Sequence, residues 1–326
     1  MRRALLIGID QYTHAPQLTS CVNDTKKLEP LLSRNEDCSV NFQCQRHEDV
    51  HTNEQLEGLI ETLFDGEGET ALFYFSGHGA RDAHNESYIV PANARTLTDC
   101  LSLTRLLTIV NYSKFQNRVV ILDSCYSGAM GTLTTTMHSH PTTAIGNGVT
   151  ILTSSRDCEV SMATPTGSTF TNLLLEALNG SAADVRGNIT TGSIYAYIDQ
   201  ALGAWGQRPL YKTNISHFNL IRKVKEAVPD SILQNLTKYF AGESTTLNLN
   251  PSFEWTNDPS AKHKIIQPYA NAANVKAFKE LQQLSYNGLV VPVGESCMYD
   301  AAMNFKSCKL TELGKQYWRR VHSGLI

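Results

Sequence analysis

The chain has 326 residues, of which 41% are apolar and 18% charged. That is enough for one α/β domain of about 200–250 residues plus a smaller one, and it excludes global disorder. With 28 basic and 31 acidic side chains the net charge is −3, which argues against nucleic acid as the main partner.

Taken from the start, Ala4–Ile9 is an apolar run too short for a signal peptide and suited to a buried strand. No stretch approaches the roughly 18 apolar residues of a membrane span, so no membrane partner is expected. The eight cysteines, Cys21, Cys38, Cys44, Cys100, Cys125, Cys158, Cys297 and Cys308, include no Cys-x-x-Cys pair. They read as reduced thiols of a cytoplasmic protein, with no disulfide framework and no metal site.

Ala71–Phe75, Val119–Leu122 and Val149–Leu152 repeat the dense, β-rich pattern of the first run. Helices are predicted between and after them, over about 21–33, 53–64, 101–112, 168–178 and 192–202. Apolar strands alternating with amphipathic helices imply an α/β fold with a mostly parallel sheet covered on both faces. In such sheets ligands gather beyond the carboxyl ends of the strands. Gly128–Asn147 is Thr-rich, carries no charged side chain apart from His138 and His140, and is long for a loop of a compact domain.

A boundary is expected near residue 225, giving domains 1–224 and 225–326. The second has 11 basic against 9 acidic residues, the first 17 against 22. A short helix is predicted over about 230–240. Val275, Phe278, Leu281 and Leu284 then recur at helical spacing, with Gly288 as the C-cap. Leu289–Val293 suits a strand, and Leu310, Leu313, Tyr317, Trp318 and Val321 form a last helical stripe. Helix, strand pair and helix suggest a small winged-helix-like unit for regulation, targeting or binding an activating protein partner. No basic cluster marks a recognition helix, so duplex reading is not expected.

Two predicted strands run directly into motifs that carry chemistry. Ala71–Phe75 leads into Ser76-Gly77-His78-Gly79, and Val119–Leu122 into Asp123-Ser124-Cys125-Tyr126-Ser127-Gly128. Both therefore fall on the same rim of the sheet. Glycines beside a histidine allow a sharp turn and close approach of a ligand. A thiol becomes a useful nucleophile beside an acid/base partner, and histidine fits that task near neutral pH. Either residue alone would more simply be structural; their joint placement points to a catalytic pair. They are 47 residues apart, near the roughly 50 typical of caspases. Gly66-Glu-Gly68 lacks a following Gly-Lys-Ser/Thr, and no Gly-x-Ser-x-Gly is present, so neither a phosphate loop nor a serine hydrolase is supported.

Over roughly residues 3–222 the chain resembles the caspase–metacaspase superfamily of cysteine peptidases. The resemblance is carried by Ala4–Asp10, Cys21-Val-Asn-Asp24, Ser76–Gly79, Asp123–Gly128 and Thr153–Asp157. Asp-x-Cys-x-Ser-Gly resembles metacaspases and their bacterial relatives, the orthocaspases included, more than animal caspases. The resemblance implies a caspase-like α/β/α sandwich, Cys125 as nucleophile and His78 as general acid/base, with no cofactor. It also implies an oxyanion hole from the N–H groups of Gly79 and Cys125, and no third residue is identified that would orient His78. Asp24, Ser76 and Asp123 match the metacaspase substrate pocket, implying protein or peptide cleavage after Arg or Lys. The plainer alternative makes Asp24 a helix cap and Asp123 a loop tether. Pro91-Ala-Asn93 and Asp99-Cys100 stand where calcium-dependent metacaspases carry more carboxylates, so calcium activation is not expected. The rival function is a catalytically silent scaffold acting through the C-terminal domain.

Overall fold

Ala4, Leu5, Leu6 and Ile7 are all buried, because β1 (Arg2–Gly8) lies inside a sheet covered on both faces. In this computed structural model residues 1–124, 145–154, 163–164, 167–203, 208–260 and 265–326 are described. They divide into two units, Met1–Lys225 and Glu226–Ile326.

The first unit continues with α1 (Cys21–Ser33), β2 (Gln43–Glu48), α2 (Asn53–Phe64) and β3 (Thr70–Ser76). Short strands β4 (Gly79–Arg81), β5 (Ser87–Ile89) and β6 (Leu101–Ser102) precede α3 (Leu103–Tyr112), β7 (Asn117–Asp123) and β8 (Val149–Thr153). Then come β9 (Ala163–Thr164), β10 (Gly167–Ser168), α4 (Thr169–Glu176), β11 (Asn188–Thr190) and α5 (Thr191–Leu202). The unit closes with β12 (Leu210–Asn214) and β13 (Leu220–Lys223).

The central sheet has the order β12-β8-β7-β3-β1-β2. All its pairs are parallel except β12 with β8, so the sheet is mixed. Side chains alternate between its faces. Leu5, Ile7, Phe73, Phe75, Val120 and Leu122 pack with Leu56, Ile60 and Leu106 of α2 and α3. Ala4, Leu6, Leu72, Tyr74, Val119 and Ile121 pack with Leu28, Leu174 and Ile194 of α1, α4 and α5. Residues that alternate strictly along each strand thus feed two separate cores, and the result is an α/β arrangement with helices on both faces.

Cys21, Asp24, Thr25, Leu28 and Leu32 are the buried positions of α1, spaced as one helical face. That face reaches β1 closely because residue 8 is glycine. A Cβ there would stand 2.4 Å from the Cys21 carbonyl oxygen.

In the second unit α6 (Asp230–Leu233) and α7 (Leu236–Tyr239) replace the single helix expected over 230–240. They are followed by β14 (Thr246–Asn248), α8 (Ala272–Tyr286), β15 (Val290–Val293), α9 (Met298–Met303), β16 (Ser307–Leu310) and α10 (Glu312–His322). Asn271 caps α8 through the N–H groups of Ala273 and Asn274, and Gly288 follows it at φ 73°. The strands form an antiparallel sheet in the order β14-β16-β15. The sequence reading placed its strand pair together; α9 lies between the strands instead. Its buried Met298, Ala301, Ala302 and Met303 span too few residues for a helical period to stand out. Among the described residues no helix is long and apolar enough to cross a membrane.

Candidate active site

The parallel strands β1, β3 and β7 end level with one another. Gly8 pairs with Ser76, and Ser76 with Asp123. The two sequence motifs therefore leave the sheet side by side on one rim, as their position after the strands predicts. Ser76 closes β3 and Asp123 closes β7, with exposures of 2% and 4%. His78 stands two residues beyond Ser76, and Gly79 opens β4 opposite Ile89. Cys125 follows Ser124 in the chain but lies outside the described residues, as do His138, His140 and the loop from 128 through 144.

His78 is held at each of its polar groups for which a partner is described. Its backbone N–H donates to the Tyr12 hydroxyl at 2.7 Å, and its carbonyl accepts from the Val90 N–H at 3.1 Å. On the ring, Nε2 lies 2.8 Å from the Pro16 carbonyl oxygen. A carbonyl only accepts, so Nε2 carries the proton and Nδ1 is left as the basic nitrogen. The Tyr12 ring packs against the imidazole with centroids 4.5 Å apart.

Tyr12 and Pro16 belong to the loop after β1, and that loop is itself tied down. Thr13 N–H donates to the Ala92 carbonyl at 2.8 Å, and Thr13 Oγ1 to Asn93 Oδ1 at 2.6 Å. The sequence reading named no group that orients His78. Pro16 does so through its backbone, which has no side-chain signature, and Tyr12 does so 66 residues away in sequence.

Asp24 is fully buried, and among the described residues neither of its carboxylate oxygens has a partner at full hydrogen-bond geometry, the Ser168 N–H approaching only as a weaker contact. Burial first, and then the Asp123 charge, push its pKa up to about 7, although the Ser168 N–H and Lys27 pull the other way. Asp123 is raised as well by burial, partly offset by the Ser168, Thr171 and Ser154 hydroxyls. Thr171 Oγ1 donates to Asp123 Oδ2 at 2.6 Å and meets the Tyr74 hydroxyl at 2.6 Å. Cys21 adjoins Ser76, and burial drives its thiol pKa far up, so it stays protonated.

The carboxylate that caps α1 is Asp10, which the sequence reading passed over. Its Oδ1 accepts from the Cys21 N–H at 2.9 Å and its Oδ2 from the Val22 N–H at 3.1 Å. A carboxylate at a helix N-terminus is the ordinary arrangement. With the cap supplied by Asp10, the buried Asp24 carboxylate is left without that task. Two buried acidic side chains, both with raised pKa and one raised in part by the other's charge, suit a cationic group.

A groove of about 530 Å³ lined by Glu61, Phe64, Arg105, Ile109 and Tyr112 lies between α2 and α3. It includes none of these rim residues. Among the described residues no cluster of His, Cys, Asp or Glu is grouped to hold a metal ion.

Residues 1–239 match the family model described as the caspase domain. The chain belongs to the caspase-domain family. Its cysteine-peptidase classification rests on that match, which runs past Lys225 to Tyr239. Caspase-1 from Spodoptera frugiperda shares the fold at 12% identity and a TM-score of 0.50, covering 68% of this chain and 90% of that one. A protein from Geobacter sulfurreducens is similar at 15% identity and a TM-score of 0.49, over 66% of this chain and 94% of its own. No match is found among curated proteins.

Proposed function

We propose that this caspase-family chain is an active, metacaspase- or orthocaspase-like cysteine endopeptidase that cleaves proteins after Arg or Lys. The observation that carries the reading is the shared rim. His78 stands there with Nε2 held by the Pro16 carbonyl, and the buried Ser76 and Asp123 are register partners at the ends of β3 and β7, Asp123 two residues before Cys125 in the chain.

In this mechanism His78 Nδ1 takes the Cys125 thiol proton. The sulfur attacks the scissile carbonyl carbon, and the N–H groups of Gly79 and Cys125 receive the developing oxyanion. The imidazolium then gives its proton to the departing amine, leaving a thioester. A water molecule, deprotonated by His78, opens the thioester and releases the acid and the free thiol. Pro16 keeps the ring in the tautomer this cycle needs. The arginine or lysine before the scissile bond enters the pocket of Asp24, Asp123 and Ser76. Guanidinium is favoured because its planar fork meets two acceptors at once.

Within the same reading, residues 1–224 form the peptidase domain and 225–326 a regulatory or targeting domain that docks an activating protein. The β14-β16-β15 order supports a winged-helix-like description of the latter, with α9 in the place of the wing. The enzyme needs no cofactor and acts in the cytoplasm as a regulated effector of defence or cell death. Six described cysteines without disulfides suit that compartment.

A positional library of peptide substrates tests this, with Cys125→Ala as control. Cleavage after Arg, then Lys, that disappears in Cys125→Ala is expected. No cleavage of any peptide by the folded wild-type chain would favour the silent scaffold instead.

A further inference from the structure

His78 lies at the end of a turn that the Tyr12 hydroxyl sets. Tyr12 is 3% exposed, and its hydroxyl accepts the His78 backbone N–H at 2.7 Å. A Cβ on Gly77 would come within 2.5 Å of that hydroxyl, so glycine is required there for the phenol to reach the turn. The phenol ring also lies against the imidazole at 4.5 Å, tilted by 55°. One side chain therefore touches both the main chain and the ring of the histidine. Burial raises the Tyr12 pKa well above 10, with Cys21, Asp10 and Asp49 adding to it against the His78 N–H bond. The phenol thus stays neutral over the working pH range, and its contact does not change with pH.

We propose that Tyr12 is a positioning residue for the proton transfer by His78, an inference that rests on the peptidase reading above. With Pro16 holding Nε2 and Val90 holding the carbonyl, the Tyr12 hydroxyl is a third fixed point of the histidine among the described residues. Removing it takes the partner from a half-buried N–H, which favours a shifted turn. A displaced imidazole harms the step that needs the best alignment, protonation of the leaving amine. Substrate binding uses Asp24, Ser76 and Asp123, whereas the described hydrogen bonds and ring contact of Tyr12 are with His78 and Gln17, so KM is spared.

The test uses the full chain and two substrates with one acyl part, an Arg amide and the matching nitrophenyl ester. Nitrophenolate leaves without being protonated, so acylation by the ester does not call on His78 as an acid. Tyr12→Phe keeps the ring and removes the oxygen. It is expected to lower kcat on the amide about ten- to hundredfold, to leave KM within twofold, and to slow the ester burst much less. Tyr12→Leu, which also loses the ring contact, should be slower again on the amide. Thr13→Val covers the case in which a Tyr12 variant does not fold. It is exposed and loosens the strap through Asn93, and it should reproduce the amide-selective loss in weaker form.

Equal losses on amide and ester, or an unchanged amide kcat in Tyr12→Phe, would overturn the proposal while leaving the peptidase reading in place. Absence of Cys125-dependent cleavage in the wild-type chain would overturn both.

Discussion

The charge of Asp123, the last residue of β7, raises the pKa of Asp24 in the first turn of α1. Burial makes each carboxylate costly to ionise, and the positive charge of Lys27 offsets less of that cost at Asp24 than burial and Asp123 impose. An arginine side chain entering the pocket would supply that charge. Asp24→Asn or Asp123→Asn should then lower kcat/KM on Arg peptides by about a thousandfold, the scale of several kcal/mol for a buried charge left unpaired. Steady-state rates on Arg, Lys, Asp and Leu peptides check this. A library preference for Asp would contradict it, because like charges would meet in the pocket.

The raised pKa of Asp24 also makes stability depend on pH, with a definite sign. A carboxyl whose folded pKa is about 7 against roughly 3.9 unfolded binds more protons when folded. Stability therefore falls as pH rises from about 4 through 7, and the full cost remains above that. Asp24→Asn should be more stable than wild type by on the order of 1–2 kcal/mol at pH 8. The two should converge near pH 4. Urea unfolding at the two pH values measures it, and a variant less stable at pH 8 would refute it. Activity on Arg peptides should move oppositely, with KM falling as Asp24 ionises between about pH 6 and 8.

The core of this arrangement is legible in the sequence because its strands are buried on both faces. Thr70–Ser76 and Asn117–Asp123 have no exposed position, so their apolar density announces them without periodicity. β2 is different. Gln43–Glu48 is an edge strand with mixed exposure, and its Gln, Arg, His and Glu residues give no apolar run to mark a strand. The motif glycines and acids likewise mark the rim, but what fixes His78 is a proline carbonyl and a tyrosine from the loop after β1. Backbone acceptors leave no trace in side-chain chemistry. The Tyr12 signal was available, since an aromatic residue just past a buried strand has little else to pack on than the same rim.

Calcium should not be needed. Asn93 Oδ1 is used by Thr13, and Cys100 is buried with its thiol pKa raised to about 11 by burial. Asp99 Oδ2 accepts the Arg95 and Thr96 N–H groups, both at 3.0 Å, and those bonds lower its pKa. A hard cation would have to take oxygens already engaged in holding turns. Rates on an Arg peptide in chelator and in millimolar calcium should agree within twofold. Stimulation of tenfold or more would overturn this.

Residues up to Lys225 should suffice for the chemistry. The last strand of the first unit, β13, pairs with β11, and further bonds, from Asn35, Glu36 and Asn41, tie the segment to the α1–β2 connection. Glu36 N–H donates to the Lys223 carbonyl at 3.1 Å, and Glu36 Oε2 accepts from the Lys225 N–H at 2.8 Å. Both cores of the sheet are complete within that span, with Val224 the last residue in either. In the second unit, Trp318 is buried and its Nε1 donates to the Phe240 carbonyl at 2.8 Å, so its polar contact is made inside that unit. A chain ending at Lys225 should therefore fold and label Cys125 with a peptide-based covalent probe within about threefold of the full-length rate. Cleaving before Lys223 should instead cost folding, because it removes a strand partner of β11 and leaves the Glu36 N–H unpaired. If the chain ending at Lys225 fails to fold while the full chain folds, the peptidase core depends on residues beyond 225, and the domain division is wrong.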